Sequence, residues 1–453
     1  MASIGAEEIP RPHSLLFHPH LTWKEKMISP IINSILGAKS LPGLETGTQA
    51  EKDSVAKQQK MMEGILSPAM IRPVLQRWET IADCKLAESS GNIPFRKNIL
   101  KEWGIVDNKT ALPDAAINND RVSVGVLVRF PSSLLPAEEL KDLTLLEGSG
   151  CYEVDFDTID WKTFAPDVPV LVQFHGGGYI IGVHGDPGLT EEAVRLLEAT
   201  PDEVSKDMIT ISVDYALAPN EPFPLGVMCA LSVLDFLCKT RNAIHVTGQS
   251  AGAGMALVSG LEGFRKYPRK IKSIQAQGPY IDPTGDGLGY WTNQNVYPDV
   301  RWLRFAWRAY LGMENPPKDN KPQDATSDLQ KVLRKGSNYL AYQNWKQKYP
   351  SKSLQRLVEP TVDLPKGLNG NKNKNAPTII VRYNRGDPLH AEGAMLEKAL
   401  KPLTGDNAGF YESEGLHVDA MGPYDAKAPQ EYYTILSKAL FGVKASSAQA
   451  LAQ

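Results

Sequence analysis

Cysteine is scarce in this 453-residue chain: Cys84, Cys151, Cys229 and Cys238 form no C-x-x-C pair and share no zinc-type spacing with histidine. That argues against a disulfide scaffold, a redox dithiol or a structural zinc site, and predicts free thiols in a reducing compartment. Charge of one sign is scarce too. The formal net charge is -3, with both signs mixed and no long block of either, which argues against a nucleic-acid tail or a polybasic membrane anchor. Long apolar runs are missing: no stretch approaches about 18 uninterrupted apolar residues, the length a membrane span needs. The start M-A-S-I-G-A-E-E-I-P-R-P-H lacks the basic region and apolar run of a secretory signal. No G-x-x-x-x-G-K-[ST] phosphate loop occurs, and no metal-ligand cluster is visible. The expectation is a soluble cytoplasmic protein with no nucleic-acid partner, no stable membrane span, no metal and no cofactor.

What is present is an ordinary globular composition, 42% hydrophobic and 22% charged, in a chain long enough for one large α/β domain with additions or for two domains. Residues 1–120 carry short apolar helical patterns at 21–36, 61–78 and 99–103 with Pro and Gly between them, and no strand pattern. In the first, Trp23, Met27, Ile31, Ile32 and Ile35 fall near one face and Pro30 kinks or divides it. Docking on the main domain is the default reading of that face, and a membrane-surface helix is the alternative. The polar stretch 45–60 reads as an exposed loop or flap. Strand character starts with valines at every second residue in 121–131 and resumes at 151–157, which fits two antiparallel edge strands. A near-continuous apolar run at 168–174, a second buried strand at 208–213, a short β-branched run at 243–249 and strands at 271–277 and 378–383 alternate with helical patterns, and a short strand follows at 409–413. That alternation predicts an α/β fold with a mainly parallel central sheet flanked by helices. Between 283 and 365 it breaks into an aromatic-rich helical stretch, in which Trp302, Phe305, Ala306 and Ala309 share a face. Such a stripe is core packing by default, and otherwise the lining of an apolar pocket.

The motif A-I-H-V-T-G-Q-S-A-G-A-G at 243–254 sets Ser250 where a β-branched run meets a small-residue helix. Gly248 and Gly252 leave room for so sharp a turn, and the helix start favours negative charge beside the serine. Acyl transfer by serine also needs a base, an acid that orients it, and donors for the oxyanion. His417 follows the last predicted strand, and Asp387 follows the strand before it. The chain order serine, aspartate, histidine is that of α/β-hydrolases. His175-Gly176-Gly177-Gly178 ends another strand, so the oxyanion donors would be the N–H groups of Gly176, Gly177 and Ala251. Among competitors, His175 reads as a brace of its loop, His245 as a packed strand residue, and His390 as too near Asp387 in sequence to be its partner. Asp214 reads as a structural turn, and Asp419 and Glu414 are weaker candidates for the acid. Candidate substrate contacts are Tyr179, Gln249, Trp302 and Phe305.

These motifs, H-G-G-G-Y at 175, D-Y-A-L-A-P-N-E-P-F-P at 214, G-Q-S-A-G at 248 and D-P-L-H-A-E-G at 387 with His417, make the chain from 168 to 440 similar to the hormone-sensitive-lipase-like branch of the α/β-hydrolases. The resemblance implies a carboxylesterase or lipase-type enzyme. Its catalytic core would be 121–282 plus 366–453, and its helical cap residues 1–120 plus the insertion 283–365. The aromatic stretch at 283–365 suggests a small apolar or specialised-metabolite ester as substrate, and the resemblance implies a homodimer through helices or sheet edges as one mode of assembly. The sequence departs from the branch at Gln249, where an acidic residue is usual, at Ala216 in place of arginine, at Ala391 in place of aspartate, and after His417. Two other readings therefore stand beside ester hydrolysis: cyclisation, lyase or acyl-transfer chemistry in a biosynthetic pathway, and non-catalytic binding of a small apolar ligand.

Overall fold

The computed structural model describes residues 10–35, 48–65, 68–315, 327–417 and 430–441. Within them the strands are β1 (Leu86–Pro94), β2 (Ser123–Pro131), β3 (Tyr152–Glu153), β4 (Val170–Phe174), β5 (Ile209–Asp214), β6 (Ile244–Gln249), β7 (Ile271–Gln277), β8 (Thr378–Asn384) and β9 (Ala408–Ser413). They form one sheet in the order β3-β1-β2-β5-β4-β6-β7-β8-β9. From β5 to β9 every pairing is parallel. These inner strands are the apolar runs of the sequence: V-L-V-Q-F of β4 is buried throughout, as strands covered on both faces must be.

The helices that matter for the site are α1 (Trp23–Ile35), α2 (Gln49–Ile65), α3 (Pro68–Ala82), α4 (Pro187–Glu198), α5 (Leu225–Thr240), α6 (Ala251–Lys266), α7 (Leu288–Thr292), α8 (Val300–Leu311), α9 (His390–Thr404) and α10 (Gln430–Phe441). Helix α6 can lie close against the sheet because its packed face is made of small residues. A Cβ on Gly252 would sit 2.0 Å from the Phe174 carbonyl oxygen, and one on Gly260 would sit 2.7 Å from Ile274. Helix α8 starts where the Asp299 carboxylate accepts the Arg301 N–H at 2.8 Å and stops at Gly312 in the left-handed region. Its apolar face, with Trp302, Phe305, Ala306 and Ala309, is buried. No helix among the described residues is long and apolar enough to cross a membrane.

Four sequence expectations are corrected here. The sheet begins at Leu86, inside the region that showed no strand pattern. Strand β1, L-A-E-S-S-G-N-I-P, escapes notice because half of it is polar, yet it pairs antiparallel with β2 along nine residues. Its Glu88 stands opposite Arg129 and binds that guanidinium at 2.6 Å, while Gly91 makes room for the Phe156 ring. Second, β2 is an interior strand between β1 and β5, and the 151–157 segment contributes only two residues, paired parallel to β1. Third, the polar stretch expected as a loop is helical from Gln49 onward, with Val55 and Gln58 buried; residues 45–47 lie outside the described residues. Fourth, α1 runs through Pro30 undivided, and the face expected to dock leaves Trp23 71% and Met27 56% exposed. The side chains of Ile31, Ile32 and Ile35 lie outside the described residues.

Candidate active site

Ser250 occupies the single residue between β6 and α6, with φ 56° and ψ -120°. Positive φ is unfavourable for a residue with a Cβ, so the surroundings must impose it. They do so from both sides. The Ser250 N–H donates to the Gln277 carbonyl on β7 at 2.8 Å, and the Ser250 carbonyl accepts the N–H groups of Ala253 at 3.0 Å and Tyr280 at 3.2 Å. The turn closes so tightly that a Cβ on Gly248 would lie 2.1 Å from the Gly252 oxygen.

The glycine loop after β4 lies directly against this turn. A Cβ on Gly176 would be 3.3 Å from the Gln249 oxygen and 3.4 Å from the Ser250 Cβ, and Gly177 and Gly178 hold φ of 107° and 62°. Among the described residues the N–H groups of Gly176, Gly177 and Ala251 donate to no acceptor; of these, Gly176 lies against Ser250 and Ala251 follows it. His175 braces the loop as expected of it: the buried ring donates from Nδ1 to the Gly176 carbonyl at 2.7 Å and stacks on Tyr215 at 4.2 Å. Burial pushes its pKa down to about 4, so the ring is neutral at pH 7.

The acid and the base come from neighbouring strand ends. Strands β6 and β8 are separated only by β7, so their carboxyl ends stand about 10 Å apart. Asp387 lies just beyond β8 and His417 just beyond β9. His417 Nδ1 donates to Asp387 Oδ2 at 2.6 Å, and the other carboxylate oxygen accepts the Leu389 N–H at 2.8 Å. Both residues are buried, and His417 Nε2 has no hydrogen-bond partner among the described residues, Ser250 included, so the structure joins the acid to the base but shows no bond from the base to the serine. A histidine whose Nδ1–H is fixed on a carboxylate keeps Nε2 as its basic nitrogen.

The rival residues are engaged elsewhere. His390 binds Glu412 at 2.5 Å, Glu414 pairs with His20 and Arg385, and His245 is buried against Ser273 with its pKa lowered by burial to about 3. Asp214 faces His184 at 3.8 Å, and Asp419 lies outside the described residues. The three buried cysteines, Cys151, Cys229 and Cys238, have thiol pKa values raised by burial, so they are poor nucleophiles. Among the described residues, no group of three or more His, Cys, Asp or Glu side chains is arranged to hold a metal ion.

The four candidate substrate contacts separate into two pairs. Gln249 stands beside Ser250, its amide facing Gln277 at 3.5 Å, and Trp302 packs on the glycine loop, where a Cβ on Gly178 would strike its ring at 2.7 Å. Tyr179 and Phe305 are packed in the interior and, like Trp302, are buried. The Tyr179 hydroxyl donates to the Tyr280 carbonyl at 2.8 Å and its ring stacks on Tyr310 at 4.2 Å, while Phe305 is fully buried. Two site neighbours carry no sequence signal at all. Gln58 on α2 accepts the Trp302 indole N–H at 3.1 Å. Gln59 clamps Gly182, donating to its carbonyl and accepting its N–H, both at 2.8 Å.

With this geometry in view, comparison with known proteins is informative. A family profile for the alpha/beta hydrolase fold matches residues 171–418, which is more than half of the chain. Carboxylesterase NlhH of Mycobacterium tuberculosis is 31% identical over 135 residues, 27% of this chain and 40% of the relative. Esterase LipI of the same organism is 32% identical over 110 residues, covering 22% of this chain and 32% of the relative. The chain thus spans less than half the length of these relatives. Among solved structures, a hyperthermophilic esterase from the archaeon Pyrobaculum calidifontis is similar with a TM-score of 0.50 at 16% identity, over 91% of this chain and 98% of that one. That likeness speaks to the fold.

Proposed function

The chain belongs to the α/β-hydrolase family, in its hormone-sensitive-lipase-like branch, and from that premise we propose that it hydrolyses carboxylic esters through an acyl-enzyme at Ser250. The observation that carries this reading is the buried Asp387–His417 pair, 2.6 Å apart, with a single basic nitrogen left without a partner among the described residues. In the proposed reaction Ser250 Oγ attacks the ester carbonyl carbon while His417 Nε2 takes the hydroxyl proton. Asp387 keeps the imidazole in its Nδ1–H tautomer and stabilises the imidazolium that forms. The N–H groups of Gly176, Gly177 and Ala251 receive the oxyanion, and the strained serine turn sets the distance between nucleophile and donors. The imidazolium returns its proton to the departing alcohol. Water, deprotonated by His417 in turn, then releases the acid and regenerates Ser250.

In this reading α1, α2 and the helices between 283 and 365 act as a cap, while α3 packs Leu75 and Trp78 beside the sheet with α4 and α10. Trp302, held by Gln58 and packed on Gly178, supports an apolar wall at the glycine loop and hence a small apolar or specialised-metabolite ester as substrate. The test is turnover of a p-nitrophenyl ester series from acetate to dodecanoate. A wall this close to the oxyanion donors should favour short and medium acyl chains, with kcat/KM falling at least about tenfold by dodecanoate. No turnover of any member would remove the ester reading and favour cyclisation, lyase or acyl-transfer chemistry at the same residues.

A further inference from the structure

Asp387 and His417 both sit on loops, and the segment 10–25 is stitched into both of those loops. Asn293, in the residue after α7, donates its side-chain amide to the backbone carbonyls of Arg385 at 2.9 Å and Asp387 at 2.8 Å. Carbonyls only accept, so the amide nitrogen must face them and Oδ1 must face the other way. There it lies 3.0 Å from His18 Nε2, which must therefore be the donor. His18 Nδ1 is then free to accept the His20 N–H at 3.3 Å. Each group in this chain of bonds fixes the orientation of the next, and both His18 and Asn293 are buried.

The same segment holds the histidine loop. The Gly415 N–H donates to the His20 carbonyl at 3.0 Å, and the Gly386 N–H donates to the Gly415 carbonyl at 3.1 Å. The Leu416 N–H donates to Glu25 Oε1 at 3.2 Å. Leu21 packs with Val296 and Leu416, and it touches the acid loop so closely that a Cβ on Gly386 would be 2.5 Å from its methyl group.

We propose that His18 and Asn293 are positioning residues for Asp387, so that segment 10–25 sets the carboxylate–imidazole geometry through the relay His18, Asn293, Asp387. The inference rests on the reading of Asp387 and His417 as acid and base. Neither His18 nor Asn293 touches the reacting atoms. Their effect is to hold a carboxylate where a displacement of about 1 Å would lower turnover by up to about a hundredfold.

The experiment compares wild type, Asn293→Ala, His18→Phe and His18→Gln in the full-length protein, with two readouts. One is the downfield proton resonance of His417 Nδ1–H and the pH titration of its ring. The other is kcat and KM on p-nitrophenyl butyrate. Asn293→Ala and His18→Phe should shift or broaden the resonance, move the His417 titration, and lower kcat about ten- to a hundredfold with KM changed less than about threefold. His18→Gln, which keeps a donor directed at Asn293, should recover most of both. An unchanged resonance and an unchanged kcat in the folded variants overturn the proposal, as does a lowered melting temperature with an unaltered His417 titration. If Asn293→Ala does not fold, the pair His18→Phe and His18→Gln decides. The resonance is read without substrate, so its loss in the variants supports the relay even if the wild type turns over no ester, the result that would instead remove the ester reading.

Discussion

Ser250→Ala is expected to lower kcat/KM on p-nitrophenyl butyrate by about 10⁴-fold or more while KM changes little. The residual rate would come from the glycine-loop donors and from binding, which the substitution leaves in place. Stability should hardly change, because alanine keeps a Cβ at φ 56° and inherits the same backbone strain. Ser250→Gly separates the two effects. It should be equally inactive yet more stable by about 1 kcal/mol, since glycine removes the strain and returns part of that gain through greater freedom of the unfolded chain. A melting temperature that rises in Ser250→Gly and not in Ser250→Ala would show strain held at the nucleophile. Equal activity in wild type and Ser250→Ala would remove the serine from the chemistry.

Gly252→Ala should be among the most damaging single methyl groups that can be added to helix α6. Helix propensity alone argues the other way, for alanine inside a helix is favoured over glycine by about 1 kcal/mol. Packing decides the sign. The added Cβ would lie 2.0 Å from the Phe174 oxygen and 2.5 Å from the His175 oxygen, and both are backbone atoms that can yield only if α6 lifts away from β4. We expect a loss of about 3 kcal/mol or more, at or beyond the upper end of overpacking effects, read as a lowered denaturation midpoint or as insoluble protein. Gly263→Ala in the same helix is the control. Its Cβ would meet only side-chain atoms, of Ile271 at 3.1 Å and Leu234 at 3.4 Å, so it should stay within about 1 kcal/mol of wild type. Equal tolerance of the two substitutions would contradict the close helix–strand contact beneath the serine.

The parts of the molecule that are legible from sequence are those whose chemistry is local. Strand β4 announces itself because burial on both faces requires apolar side chains at nearly every position, β5 to β7 because β-branched residues alternate with helical patterns on either side, and the serine turn because its backbone demands glycine at 248 and 252. Asp387 and His417 are readable because each lies just past a strand, and parallel topology brings such positions to one edge of the sheet. The missed features depend on contacts far apart in the chain. Strand β1 looks polar because Glu88 answers Arg129 across the pairing rather than facing solvent. Gln58 and Gln59 resemble any polar helix positions, and only the fold shows that they reach Trp302 and Gly182. His18 and Asn293 are 275 residues apart, and nothing near either one signals the other. Tyr179 misled for a related reason: its place after the glycine loop suggested a substrate contact, whereas positive φ at 65° turns it into the aromatic packing.

The most direct test of the central claim is covalent labelling with a fluorophosphonate, followed by peptide mass mapping. The probe loses fluoride as the serine oxygen bonds to phosphorus, so it reports an activated serine independently of which ester the enzyme prefers. One stoichiometric adduct on Ser250 in the wild type, absent in Ser250→Ala and strongly slowed in Asp387→Asn, is the predicted result. An unlabelled wild type, or an adduct on another residue that persists in Ser250→Ala, would contradict the account.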